Sequence, residues 1–157
     1  MKVQDLVLEM TERANTAILR AARAIPEDKL AWSPEGARST LDLLQEVAGS
    51  AMWPVMLGLA ETVPNFDPGQ MQQAAEARKA LDTVDKCAAE LESNTQKLRE
   101  FLGSFPDERL AEKLALPFGP DMVMTRAEIL LTHYWNATYH TGQICYLQTM
   151  LGDREMH

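Results

Sequence analysis

Apolar residues that repeat at intervals of three and four constrain this chain more than any other feature. Over residues 3–24, Val3, Leu6, Val7, Met10, Ala14, Ala17, Ile18 and Ala21 fall on one side of a helix. The same period returns over residues 39–59, over 71–102 and from Thr125 towards the end of the chain, and no segment alternates in the manner of a half-buried strand. Four helices with one apolar stripe each bury those stripes against one another, so the expected fold is all-α: a four-helix bundle in a single domain over residues 1–157. A chain of 157 residues is long enough for a self-sufficient core.

Local signals set the expected boundaries. Pro26 closes the first helix, and IPEDKLAWSPEGARS follows as a turn-rich connection with Leu30 and Trp32 tucked against the bundle. Ser39 with Asp42 makes a capping box for the second helix, which runs to about Leu59 with a kink at Pro54. ETVPNFDPGQ reads as a loop. Asp82 or Thr83 divides the next helical stretch into a short lead-in and a third helix from Val84 to Leu102, with Leu81, Val84, Ala88, Leu91, Thr95, Leu98 and Leu102 inward. FPDERL is a turn with a helical stub, and LALPFGPDMVMT is extended, its Pro-Phe-Gly-Pro forming a small hairpin. Thr125 with Glu128 caps the fourth helix, which ends at Gly152. The connections are long enough for crossovers, so simple up-and-down order is not required.

Charge and cysteine usage narrow the setting. The chain carries 23 acidic against 15 basic residues, a net −8. Such a surface repels phosphate backbones and anionic lipid heads, so neither nucleic acid nor a membrane is an expected partner. Cys87 and Cys145 form no CxxC pair and suit a reducing cytoplasm. MKVQDLVLEMTERAN turns polar too early for a signal peptide, and no apolar run approaches the ~18 residues of a membrane span.

The stretch WNATYHTGQICYLQTMLGD departs from simple patterning. His133, Asn136, His140 and Gln143 share a helix side with Ile129, Ile144, Leu147 and Leu151. On the second helix, Glu46 sits in the middle of a face formed by Leu43, Ser50, Trp53 and Leu57. A buried polar group without a partner costs about 1–3 kcal/mol, so these groups must meet one another or a ligand. Asn136 and His140, at i and i+4, put both side chains over one point, where Glu46 can join them. Three arrangements satisfy that demand: a metal site, a hydrogen-bonded structural cluster, or a metal-free pair in which Glu46 tunes His140 as a general base. His133 lies about 10 Å along the helix from His140, too far to share an ion with it. Tyr134, Trp135 and Tyr139 read as packing or interface residues, Cys145 faces away from His140, and the nine methionines read as gap-fillers. No Gly-rich phosphate loop, HExxH or GxSxG occurs.

The outer sides of two helices are apolar as well. Leu131, Tyr134, Trp135, Thr138, Gly142, Cys145 and Tyr146 on the fourth, and Leu41, Leu44, Ala48, Ala51, Met52, Val55 and Leu59 on the second, predict a homodimer.

LAWSPEGARSTLDLLQEVA, followed far downstream by NATYHTGQICYLQTMLGD, resembles the DinB/YfiT superfamily of small bacterial bundle proteins. The likeness covers nearly the whole chain: a Trp-x-Pro turn, a polar position in the second helix, and His-x-Gly-Gln before a Leu-rich end. The resemblance implies a four-helix bundle, commonly a homodimer, with a divalent metal, often nickel or zinc, held by three histidines. One comes from the second helix and two, at i and i+4, from the fourth. Members of known activity include thiol S-transferases that use bacillithiol or mycothiol and a mycothiol-dependent isomerase, which implies a small-molecule substrate and a low-molecular-weight thiol. Carried over by position, the last family histidine falls on His140, the preceding one on Asn136 and the second-helix one on Glu46. Glutamate ligates zinc, nickel or manganese, whereas an amide oxygen suits harder ions. The expected metal set is therefore Glu46, Asn136 and His140, with His140 and Glu46 catalytic and Asn136 and Gln143 facing a cofactor or substrate. Two classes of function follow: a metal-dependent thiol transferase or hydrolase-like enzyme with an altered site, or a metal-free dimeric binding or stress-response protein whose polar cluster is structural.

Overall fold

The computed structural model describes residues 1–64, 67–117 and 122–157. Along the chain run α1 (Val3–Ala24), α2 (Thr40–Ser50), α3 (Met52–Leu57), α4 (Pro68–Arg78), α5 (Val84–Ser104), β1 (Lys113–Ala115), β2 (Val123–Thr125), α6 (Arg126–Leu130) and α7 (Thr132–Met150). Short 3₁₀ turns at Glu27–Lys29 and Asp107–Arg109 fill two of the connections.

Helix starts follow the caps. The Ser39 hydroxyl accepts the Asp42 amide at 3.2 Å while the Asp42 carboxylate accepts the Ser39 amide at 3.0 Å. Thr125 and Glu128 repeat the exchange at 3.2 and 2.7 Å, and Thr83 caps α5 through the Lys86 amide at 3.2 Å. The expected loop over 61–70 ends early. Asp67 accepts the amides of Gly69 and Gln70, and Pro68 takes the first helical position, so residues 68–70 already belong to α4.

Two expected helices are broken. The Pro54 ring removes a donor and crowds the carbonyl four residues earlier, at Ser50, so α2 ends there and α3 begins at Met52. The Thr132 hydroxyl donates to the Ile129 carbonyl at 2.8 Å, and the chain passes through a turn at Leu131 between α6 and α7. Gly152, at φ 95°, closes α7, with the Asp153 amide reaching back to the Gln148 carbonyl at 3.2 Å. At Gly58 the backbone passes so near the Phe101 ring that a Cβ would lie 2.6 Å from its Cζ.

α1 packs against α7 and α5, and α2 packs against the same two helices. α1 and α2, consecutive in sequence, therefore sit diagonally across a four-helix bundle, as do α5 and α7, so the connections between the members of each of these pairs are crossovers, whereas α2 and α5 are neighbours. Ile18, Leu43, Leu44, Leu91, Leu98, Ile129, Leu130 and Ile144 fill its centre. The small β1–β2 pair adds an antiparallel hairpin in the register Lys113↔Thr125, Leu114↔Met124 and Ala115↔Val123. Most of the Pro-Phe-Gly-Pro turn expected there lies outside the described residues. Buried Arg126 donates to the Leu57 carbonyl at 2.8 Å and fastens this hairpin to the end of α3.

Three expectations about faces are corrected. On α1, Val3 and Leu6 stay 43% and 42% exposed while Gln4, Thr11 and Asn15 are buried. The true stripe is rotated because its polar members have partners: Gln4 donates to the Phe105 carbonyl at 2.9 Å. Trp32 lies at the surface although Leu30 is buried. On the outer face expected for the second helix, Leu44, Ala48 and Ala51 are covered within the chain, while Leu41, Met52 and Val55 are partly buried and Leu59 is 39% exposed.

A hydrogen-bonded chain runs through the core. Ser50 Oγ of α2 lies 2.6 Å from His133 Nδ1 of α7, and His133 Nε2 lies 2.9 Å from Asn15 Oδ1 of α1. Asn15 Nδ2 donates to Thr95 Oγ1 of α5 at 2.9 Å, and Thr95 donates to the Leu91 carbonyl at 2.7 Å. The Asn15 oxygen only accepts, so Nε2 carries the ring proton and Nδ1 accepts from the Ser50 hydroxyl. Burial pushes the His133 pKa down from 6.5 to about 4.

The unfolded chain gains a proton on His133 below pH 6.5, and the folded chain resists it until about 4. The stability due to a neutral His133 is thus present above the upper value and lost as pH falls through this window, by on the order of 3 kcal/mol. Urea unfolding from neutral pH down to the lower value is expected to show a steeper loss for the parent than for His133→Gln.

Candidate functional site

Glu46 leaves the middle of α2 with both carboxylate oxygens engaged. Oε1 accepts from Asn136 Nδ2 at 2.9 Å and from His140 Nε2 at 3.1 Å, and Oε2 meets the Arg38 guanidinium at 2.7 Å. A carboxylate only accepts, so His140 Nε2 carries the proton that faces it. His140 Nδ1 lies 2.6 Å from Gln143 Oε1. The α7 members share a face because they stand three and four residues apart. Arg38 is held by the start of α2 itself: it immediately precedes the Ser39 cap, and its other arm donates to the Asp42 carbonyl at 3.0 Å.

Burial alone would raise the Glu46 pKa, but hydrogen bonds from Asn136, His140 and Arg38, together with the Arg38 charge, outweigh it and lower the value to about 2. The carboxylate stays ionised in any ordinary buffer. His140 is 4% exposed, whereas the Glu46 side chain is 34% exposed. Glu46 is therefore more open to solvent than His140. It borders a cavity of about 450 Å³ with Gly49, Ser50, Met52, Trp53 and Met56, walled on the far side by Met71, Ala74 and Arg78 of α4. It also borders a space of about 250 Å³ with Arg38, Asp42 and Gln45, where α4 supplies Ala75, Arg78 and Lys79.

Glu46, Asn136, His140 and Gln143 thus come together, while His133 belongs to the separate core chain. Arg38 was not among the residues singled out from sequence. The available signal was the demand of a half-buried carboxylate for a cation, with Arg38 beside the cap of the same helix. The methionine reading is corrected in part: Met52, Met56 and Met71 border the cavity, and the last two are 46% and 53% exposed. Cys145 is exposed on the outer side of α7. Burial and the Asp82 carboxylate push the Cys87 thiol up to about 11, so it supplies no thiolate. The order Ser50–His133–Asn15 is that of a nucleophile relay, but an imidazole held at about 4 is too weak a base to activate a hydroxyl.

The cluster does not fit a three-ligand zinc or nickel centre as it is arranged. Catalytic zinc takes three protein ligands. Here Glu46 and His140 are the two good donors, Asn136 turns its NH₂ rather than its oxygen to the carboxylate, and Arg38 already balances the charge of Glu46. Among the described residues no group of three His, Cys, Asp or Glu converges. One atom argues the other way: Asn136 Oδ1 is buried without a hydrogen-bond partner.

A family model for the DinB family matches residues 1–157. The chain belongs to the DinB family. The DinB fold is equally plain in solved structures. YfiT from Bacillus subtilis, described as "a probable metal-dependent hydrolase with an unusual four-helix bundle topology", aligns at a TM-score of 0.74 and 15% identity, over 95% of this chain and 87% of that one. A mycothiol-dependent maleylpyruvate isomerase aligns at 0.69 and 13%, over 92% of this chain but 63% of its own length. A conserved Enterococcus faecalis protein aligns at 0.69 and 16%, over 98% and 99%. Identities this low establish the shared fold. No curated protein matches the sequence. No helix among the described residues is long and apolar enough to cross a membrane.

Coupling within the cluster is measurable. Glu46→Gln and Arg38→Gln are each expected to cost about 1 kcal/mol, a figure reduced for solvent at these part-exposed groups. The double variant should cost less than their sum, because the second change removes a partner already lost. Urea unfolding of the four proteins gives the cycle.

Proposed function

We propose that this DinB protein is a small-molecule enzyme of the thiol-transferase or hydrolase-like class, with Glu46 and His140 as its reaction centre. The observation that carries this reading is that Glu46 is at once bonded to His140 and open to the cavity. A carboxylate held near 2 is a poor base, so its work is to remain charged and to orient an O–H, N–H or S–H of the ligand. The adjoining imidazole, fixed by Gln143, is the group suited to passing a proton. Asn136 holds the carboxylate in place. Arg38 supplies the positive charge that a metal supplies in the site the resemblance implies. Likeness to the mycothiol-dependent isomerase supports a low-molecular-weight thiol as co-substrate.

A second reading is a divalent ion, nickel, zinc or manganese, on Glu46, His140 and Asn136. The unpaired Asn136 Oδ1 favours it, since a turned amide would offer that oxygen. A metal-free binding or stress-response role, with the cluster purely structural, is the remaining alternative. For assembly we propose a cytoplasmic homodimer through the outer face of α7, where Trp135, Tyr139, Tyr146 and Met150 are 44%, 67%, 66% and 46% exposed.

The test of the centre has two parts. Conjugation of monochlorobimane to bacillithiol or mycothiol is expected to be accelerated by the parent and lost in Glu46→Gln and in His140→Ala; equal rates in all three leave the binding role. Calorimetry with zinc and nickel is expected to show weak binding by the parent. Glu46→His combined with Asn136→His should gain at least about 10-fold in affinity, the equivalent of about 1.4 kcal/mol. A parent that takes up one tight equivalent of metal decides for the second reading.

A further inference from the structure

The two spaces that meet at Glu46 differ in character. The larger is walled by Met52, Trp53, Met56 and Met71, and the smaller by the cations Arg38, Arg78 and Lys79. Most charges around them are already engaged. Arg38 is paired with Glu46 at 2.7 Å and Lys79 with Glu76 at 2.8 Å. Asp42 and Asp67 cap their helices, and Glu90 accepts the Asn94 amide at 2.8 Å. Arg78 is the exception. It is half-buried and borders both spaces, and its guanidinium has no ion pair or hydrogen bond among the described residues; its backbone carbonyl accepts the Leu81 amide at 2.9 Å. A guanidinium offers five N–H donors in a planar fork that matches a carboxylate.

We infer that the ligand of this site is an organic carboxylate with an apolar chain or ring, its body in the larger cavity and its carboxylate on Arg78 in the smaller space. The size and lining of the larger cavity suit such a body: about 450 Å³, with flexible methionines beside an indole. The two spaces share Glu46 and Arg78, so a ligand that spans them carries the carbons next to its carboxylate past Glu46, with His140 bonded behind that carboxylate. The overall charge of the chain, −8, works against random capture of anions, so selectivity rests on the local fork. This inference rests on the proposed centre for its chemistry, but the ligand class is a matter of binding alone.

Octanoate and the neutral octanamide are the probes, titrated into the full chain by calorimetry and by the fluorescence of Trp53, with Trp53→Phe as the control for that signal. The parent is expected to bind octanoate at least about 10-fold more tightly than octanamide, as a charge-assisted contact requires. Arg78→Gln should erase the difference by weakening octanoate alone, and Arg78→Lys should restore part of it. Equal affinities for the two probes, no binding of either, or an octanoate affinity indifferent to Arg78→Gln would overturn the inference. A separate readout addresses the centre. Octanoate is expected to shift the His140 ring resonances. An acid preference without that shift upholds the ligand class and counts against the shared centre, whereas loss of the acid preference overturns the ligand class without touching the thiol-conjugation result.

Discussion

The hydrogen-bonded chain through Ser50, His133, Asn15 and Thr95 fixes how the four long helices stand to one another. Each member comes from a different helix, and each is 8% exposed or less. An apolar interface tolerates small slips in register, but a buried donor that misses its acceptor costs about 1–3 kcal/mol. One rotation and one axial offset of the helices satisfy all these groups together. The cluster at Glu46 inherits that setting. Starting from the Ser50–His133 contact, one turn back along α2 reaches Glu46, and one to two turns forward along α7 reach Asn136 and His140. The two helices run antiparallel at this point, so the structural chain and the open cluster are successive rungs of one interface.

Local chemistry was legible in the sequence, and distant partnership was not. Capping boxes at Ser39 and Thr125 are exchanges over three residues, so their motifs declared the helix starts. The effect of Pro54 was equally local, and only its severity differed: a break after Ser50 instead of a kink. The α1 face was misread because its polar members, Gln4 and Asn15, look solvent-facing until Phe105 and Thr95, far along the chain, supply their partners. The diagonal placement of α1 and α2 has no local signature at all. For the site, helical spacing alone brought Asn136, His140 and Gln143 to one side, and the cost of a half-buried carboxylate pointed Glu46 towards them. Arg38 escaped because it lies in the connection, outside any helical period.

Arg38 changes what the cluster can do. A site of neutral imidazoles needs a cation from outside to organise it. A carboxylate in the second-helix position brings a negative charge, and a guanidinium from the preceding turn balances it within the chain. A guanidinium is no Lewis acid, so it offers no open coordination position of its own. What remains is a fixed pair of charges with an imidazole beside it, directed into a cavity.

That arrangement places the burden of recognition on the cavity wall. In a metal site the ion itself gathers an anionic ligand, and the protein need only shape the pocket. On the proposed reading, the charges of Glu46 and Arg38 are spent on one another, so attraction comes from a group left unspent. Arg78 meets that requirement, and it does so from α4, a helix with no buried residues of its own. Few apolar contacts hold α4 in place, so it belongs with the elements that open at low cost. A ligand that bridges Arg78 and the methionine wall would tie α4 to α2 and α3 more firmly than the empty protein does, and binding should then raise protection against hydrogen exchange in residues 68–78 ahead of the bundle core.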